Sequence, residues 1–167
     1  MAMEAGMVPL IDVLLLGTGA TLVMDGWSLL RRPLLGQPGP DYRLLGRWVG
    51  YFFSGRFRHA SIAKAAPRGG ENLLGWLVHY ATGVVFAAAF VAMVGGRWLE
   101  APSMPSALAF GIGSVVAPFF VMQPAMGAGV AASRTPDPRR ARMQSLLTHI
   151  AFGLGLWISG LVLARAA

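Results

Sequence analysis

The sequence contains no cysteine, which removes disulfides, thiolate metal ligands and palmitoylation sites from consideration. Charge is scarce as well. Only 13% of the 167 residues are Asp, Glu, Lys or Arg, against 55% hydrophobic residues. With a mean hydropathy of +0.58, that balance excludes an ordinary soluble domain and fits a membrane protein. The four longest apolar runs also lack the polar stripe of a water-facing helix. Acidic residues number 7 against 14 Lys and Arg, a net charge of +7 with a pI near 11.3, which in a soluble chain would suggest nucleic acid. Here eight of the basic residues fall between Arg31 and Arg68 and four between Arg134 and Arg142. Two basic connections between apolar runs record topology and attraction to anionic lipid headgroups, so no nucleic-acid partner is expected.

What is present is length. A crossing helix needs roughly 20 apolar residues, and spans are expected over residues 8–30, 72–94, 105–126 and 143–163. Pro9 suits the first turn of the first span, where a missing N–H is harmless. No Lys or Arg precedes that span and no small-residue cleavage pattern follows a short core, so it reads as a retained helix rather than a signal peptide. Both termini are then outside and residues 31–71 and 127–142 form the inner loops. Gly17, Ala20 and Thr21 offer close helix approach.

Within the first loop, Arg31-Arg32 should close the helix and Gly36 to Pro40 should break the chain. Leu44, Leu45, Trp48, Val49, Phe52 and Phe53 recur at helical spacing, the mark of a short interfacial amphipathic helix with Trp48 and Tyr51 at headgroup level. Residues 56–66 read as a second, basic amphipathic piece with His59 exposed. Trp98 reads as an interfacial residue of the outer turn. Pro118 should kink the third span, and Gly127-Ala128-Gly129 should unwind its inner end.

The polar residues inside these spans carry the functional question. His79-Tyr80-Ala81-Thr82-Gly83 is nearly repeated at His149-Ile150-Ala151-Phe152-Gly153, and the two copies occupy matched positions in spans that run the same way. Two parallel helical-hairpin repeats are therefore expected. At about 1.5 Å per residue both histidines lie about 9 to 10 Å from their inner helix ends. Gly75 and Gly83 flank one, Ser145 and Gly153 the other. Asp25 falls at nearly the same depth, as do Met122, Gln123 and Met126.

Ionisable groups at such depth mark a site. Two histidines from facing helices suffice as axial ligands for haem, and with Asp25 they suit a transition-metal ion, Met122, Gln123 and Met126 being further candidates. Arg47 or Arg134 would meet haem propionates. Competing readings are a small transporter or proton-coupled channel using the same layer, and a structural or accessory subunit whose buried polar groups only bond one another. Oligomerisation, or membership of a larger membrane complex, fits the narrow four-helix cross-section. Gly17-Thr18-Gly19 and Gly111-Ile112-Gly113 lie inside apolar spans, which argues against nucleotide binding. Ser114 and Ser145 leave an intramembrane hydrolase without a defined triad, so no catalytic residue is assigned.

The stretches Gly19 to Trp27, Gly46 to Trp48, Gly70 to Tyr80, Ala117 to Pro124 and Ala131 to Pro136 resemble the pattern of an uncharacterised family of small bacterial inner-membrane proteins, over almost the whole chain. The resemblance implies a bacterial inner-membrane location and no particular activity. Its pattern includes the residues corresponding to Asp25, His79, Gln123 and His149. The expected protein is thus an all-α integral membrane protein with four transmembrane helices and a cytoplasm-proximal His/Asp site binding haem or a metal ion.

Overall fold

The computed structural model describes residues 8–36 and 39–166. Gln37 and Pro38 of the expected breaker lie outside the described residues, as do residues 1–7 of the expected outer N-terminus. Among the described residues the chain is all helical, with four helices long and apolar enough to cross a membrane. These are α1 (Leu10–Leu35), α3 (Glu71–Val94), the rod Met104–Met126 and α6 (Pro138–Ala166). The short α2 (Tyr42–Gly50) precedes α3. The rod consists of α4 (Met104–Ser114), a wider π turn (Pro118–Met122) and α5 (Gln123–Met126). Pro118 has no N–H for the carbonyl four residues back. The helix widens there, and the Gln123 N–H bonds the Pro118 carbonyl.

Several boundaries depart from the sequence reading. α1 does not end at Arg31-Arg32 but runs through Pro33 to Leu35, where Gly36 at φ +62° turns the chain away. α6 starts at Pro138 rather than near residue 143. The Asp137 carboxylate accepts the Arg140 N–H at 3.0 Å, and Pro138 follows in the first helical position, where its ring costs nothing. The second connection therefore shrinks to residues 127–137.

Residues 56–66 form no amphipathic helix, only a single tight turn at Ile62–Lys64. Their backbone bonds go elsewhere: the Arg47 guanidinium reaches the Ala65 carbonyl at 3.1 Å, and the His59 N–H donates to the Ala125 carbonyl at 2.8 Å. That docking buries His59, expected to be exposed, to 9% accessibility. Tyr51 is buried too, its hydroxyl donating to the Ala66 carbonyl, so it is not placed at the surface. Trp98 is likewise buried; it packs against Phe90 at 4.7 Å and donates to Ser106 Oγ at 2.8 Å.

α1 lies between α3 and α6, and α4 packs on α6. The contacts depend on small residues. A Cβ on Gly17 would come within 2.6 Å of the Val84 backbone, and one on Gly111 within 2.6 Å of the Gly153 backbone. Ala20 faces Gly155, and Thr21 faces Gly83, so the small residues of α1 do provide close approach. Leu16, Ala20, Ala87, Phe90, Trp98, Ala107, Phe152 and Leu156 fill the half of the bundle remote from the basic connections. At that end Phe86 and Phe90 bridge to Phe110. Toward the basic end α3 and the rod have few contacts, and a cavity opens between them.

α2 is amphipathic as expected, but its apolar side chains Leu44, Leu45 and Trp48 line that cavity instead of lying flat on a surface. A Cβ on Gly46 would strike the Glu71 carbonyl and one on Gly75 the Tyr42 carbonyl. Arg47 and Glu71 close the joint with two parallel hydrogen bonds of 2.8 Å, the planar fork that makes Arg–carboxylate pairs specific. Arg47 is therefore committed to structure and is not available for the expected contact with haem propionates.

Candidate functional site

The cavity has a volume of about 450 Å³, within the range of small-molecule sites. Its walls are almost wholly apolar. α1 contributes Met24, α3 contributes Val78, His79, Thr82, Gly83 and Phe86, and α6 contributes Thr148, His149 and Phe152. The rod adds Ala117, Pro118, Val121, Met122 and Met126, and α2 closes the basic end. Both expected histidines thus face one cavity, together with Met122 and Met126. Gln123 is elsewhere: its Nε2 donates to Ser145 Oγ at 3.1 Å, on the joint between the rod and α6. Gly75, Gly83 and Gly153 give room to neighbouring helices, and Gly83 also lies on the cavity wall.

The two histidines are held differently. His79 Nε2 is 3.0 Å from Asp25 Oδ1, as the sequence reading of a shared layer suggested. Asp25 Oδ1 also accepts the Tyr42 hydroxyl at 2.9 Å, and Oδ2 accepts the Tyr80 hydroxyl at 3.0 Å. Three donors converge on one carboxylate in a half-buried pocket, so its acceptor capacity is well used. The Tyr42 ring also stacks on the His79 ring, centroids 4.1 Å apart. Burial, together with the adjacent Asp25, pushes the Tyr42 phenol far above its ordinary value, which keeps it a donor.

Among the described residues, no carboxylate bonds His149. Its Nδ1 is 2.7 Å from Ser114 Oγ, and that hydroxyl lies 2.7 Å from the Gly111 carbonyl. The nearest ring contact is Phe86 at 6.5 Å between centroids. Counted from the helix starts, His79 is the ninth residue of α3 and His149 the twelfth of α6, a difference of about 4.5 Å. Each histidine nevertheless bonds another helix, His79 reaching α1 through Asp25 and His149 reaching α4 through Ser114. Asp25 is brought to His79 and not to His149. Among the described residues, no group of three or more His, Cys, Asp or Glu side chains is placed to hold a metal ion.

Tyr42, Tyr80 and Ser114 are the site residues that sequence reasoning did not assign. Tyr80 lies within the repeated pentapeptide, and Ser114 lies one turn beyond Gly111. Each offered only a weak signal. Tyr42 offered none, because its contact with Asp25 depends on how α2 folds back over α3.

Fold and cavity together define an all-helical protein with four membrane-length helices around a cavity lined by two histidines. The chain belongs to a family described as "Protein of unknown function (DUF2938)", matched over residues 14–163. No curated protein and no solved structure matches it.

Proposed function

We propose that this is a multi-pass protein of a bacterial inner membrane that binds a small lipophilic molecule in the cavity between α3 and the rod. The four long helices cross the bilayer as two parallel hairpins, with the arginine-rich connections on the cytoplasmic side. Phe53 and Phe57, both exposed, and the neighbouring Arg56 give the first connection apolar and cationic groups for an anionic lipid surface. The observation that carries the ligand reading is the convergence of His79 and His149 on one apolar cavity, the usual form of a binding site with a few placed polar groups.

An organic ligand fits better than an ion, because among the described residues no group of three or more His, Cys, Asp or Glu side chains is placed to hold a metal. Asp25 would have to give up its three donors to coordinate a metal. The haem or metal reading retains two histidines and two thioethers on the wall, so the test should register it. Protein purified in mild detergent is examined by native mass spectrometry, absorption spectroscopy and metal analysis. A retained lipophile, lost from the His79→Ala/His149→Ala double variant, is the expected result. A Soret band or a stoichiometric metal would overturn it in favour of haem or an ion.

A further inference from the structure

We infer that the cavity selects a lipid-soluble hydroquinone, binding the reduced form in preference to the quinone. This rests on the ligand-binding reading above and identifies the chemical class of that ligand.

The inference follows from where the protons are. A hydroxyl has one hydrogen, and two oxygens 2.7 Å apart need one between them. The Ser114 proton therefore belongs to the bond with the Gly111 carbonyl. His149 Nδ1 must then carry the hydrogen of its own 2.7 Å contact with Ser114 Oγ, which leaves Nε2 of the neutral ring as a lone pair. His79 is fixed in the opposite sense. Its Nε2 carries the hydrogen directed at Asp25 Oδ1, and with one hydrogen on the ring Nδ1 is the lone pair. No hydrogen bond to His79 Nδ1 or His149 Nε2 is found among the described residues.

The other polar side chains of the wall offer no donor. Tyr42 donates to Asp25 at 2.9 Å and Trp48 Nε1 to the Phe57 carbonyl at 2.9 Å. Thr82 Oγ1 donates to the Val78 carbonyl at 2.7 Å and Thr148 Oγ1 to the Gln144 carbonyl at 2.8 Å. Asp41, at the basic end, is an acceptor already paired with Arg43. The two histidines of the wall thus each keep one unbonded acceptor nitrogen, and among the described residues the wall has no uncommitted side-chain donor. A quinone, whose two carbonyls only accept, would leave every polar atom unmatched; a hydroquinone brings the two missing donors. Leaving a buried polar group unpaired is the costly error. The aromatic walls formed by Trp48, Phe86 and Phe152 suit a flat ring. Thr82 and Val121, both exposed at the gap between α3 and the rod, mark a sideways route open to a membrane-dissolved molecule and its tail.

The test is the affinity of the detergent-solubilised protein for decylubiquinol and decylubiquinone, measured anaerobically by tryptophan fluorescence at neutral pH. The hydroquinone should bind about tenfold or more tightly than the quinone. His79→Ala and His149→Ala should each lower the hydroquinone affinity toward that of the quinone. Ser114→Ala is the sharper probe, because freeing Nδ1 lets the His149 ring carry its hydrogen on Nε2. Quinone binding should then rise even though loss of the serine hydroxyl lowers the thermal midpoint. Equal affinities, or tighter quinone binding, would overturn the inference. So would a retained lipophilic alcohol or amine of another class with no binding of either probe, although the ligand-binding reading would then stand. Absence of any retained molecule and of binding by both probes would sink both.

Discussion

His79 and His149 begin pentapeptides that share three of five residues, yet they are stabilised by different chemistry. Around His79 a carboxylate collects three donors and a tyrosine ring stacks on the imidazole. Around His149 a single serine hydroxyl links the ring to a helix carbonyl. The contrast shows that a repeated string fixes which helix a histidine faces, while the facing helix decides how the ring is held. It also implies unequal mechanical roles, since the His79 cluster joins α1, α2 and α3, and the His149 pair joins only α4 and α6.

The largest test of that inequality is removal of the central acceptor. Asp25→Ala leaves the Tyr42 and Tyr80 hydroxyls and His79 Nε2 without their partner. Each orphaned buried donor costs about 1 to 3 kcal/mol, so a loss of roughly 3 kcal/mol or more is expected in thermal or chemical unfolding in detergent. Ser114→Ala removes two bonds, one to the Gly111 carbonyl and one from His149 Nδ1, and should cost about 1 to 2 kcal/mol. Equal losses would mean that the two histidines are structurally equivalent after all.

A second comparison uses the positions four residues before each histidine. Gly75→Ala drives a Cβ into the Tyr42 carbonyl and must lift α2 away from α3, an overpacking cost of about 1 to 3 kcal/mol. It should also raise the exposure of Tyr42 to solvent quenchers. Ser145→Ala only removes the acceptor of Gln123 Nε2, with an expected cost of about 1 kcal/mol and no change at α2. Tyr42→Phe keeps the ring stacked on His79 and deletes one of the three donors to Asp25, for about 1 kcal/mol. A cost as large as that of Asp25→Ala would show that Tyr42, not the carboxylate, holds the cluster together.

These contrasts also mark what the chain made legible. Length and hydropathy located the four long helices, and helical depth placed Asp25 beside His79, because both follow from positions along one element. Pro118 and Gly127 signalled their local departures for the same reason. The start of α6 is not legible from hydropathy, because Asp137-Pro138, a cap followed by a first-turn proline, has the composition of a loop. Tyr42 and Ser114 were missed because their roles come from packing between elements, where α2 folds over α3 and α4 approaches α6 at Gly111 and Gly153. Residues 56–66 misled for a related reason: a mildly amphipathic pattern gave way to tertiary hydrogen bonds with Arg47 and Ala125.

The third histidine offers the smallest effect and a separate control on the other two. His59 is buried against the Tyr51 ring at 4.7 Å between centroids, and both its ring nitrogens are without a hydrogen-bond partner among the described residues. Burial, aided by the positive charge of Arg56, lowers its pKa below the ordinary 6.5, so the docked ring is neutral. Between the lowered value and 6.5 the undocked chain binds more protons than the docked one. Docking of residues 56–66 onto α5 should therefore be fully stable above about pH 6.5 and weaken as the pH falls through that window. Hydrogen exchange of this segment, compared at pH 7.5 and 5, should show faster opening at the lower pH in the wild type and a flat response in His59→Phe. Acid-dependent opening that persists in His59→Phe would assign the proton to another group and leave His59 as packing alone.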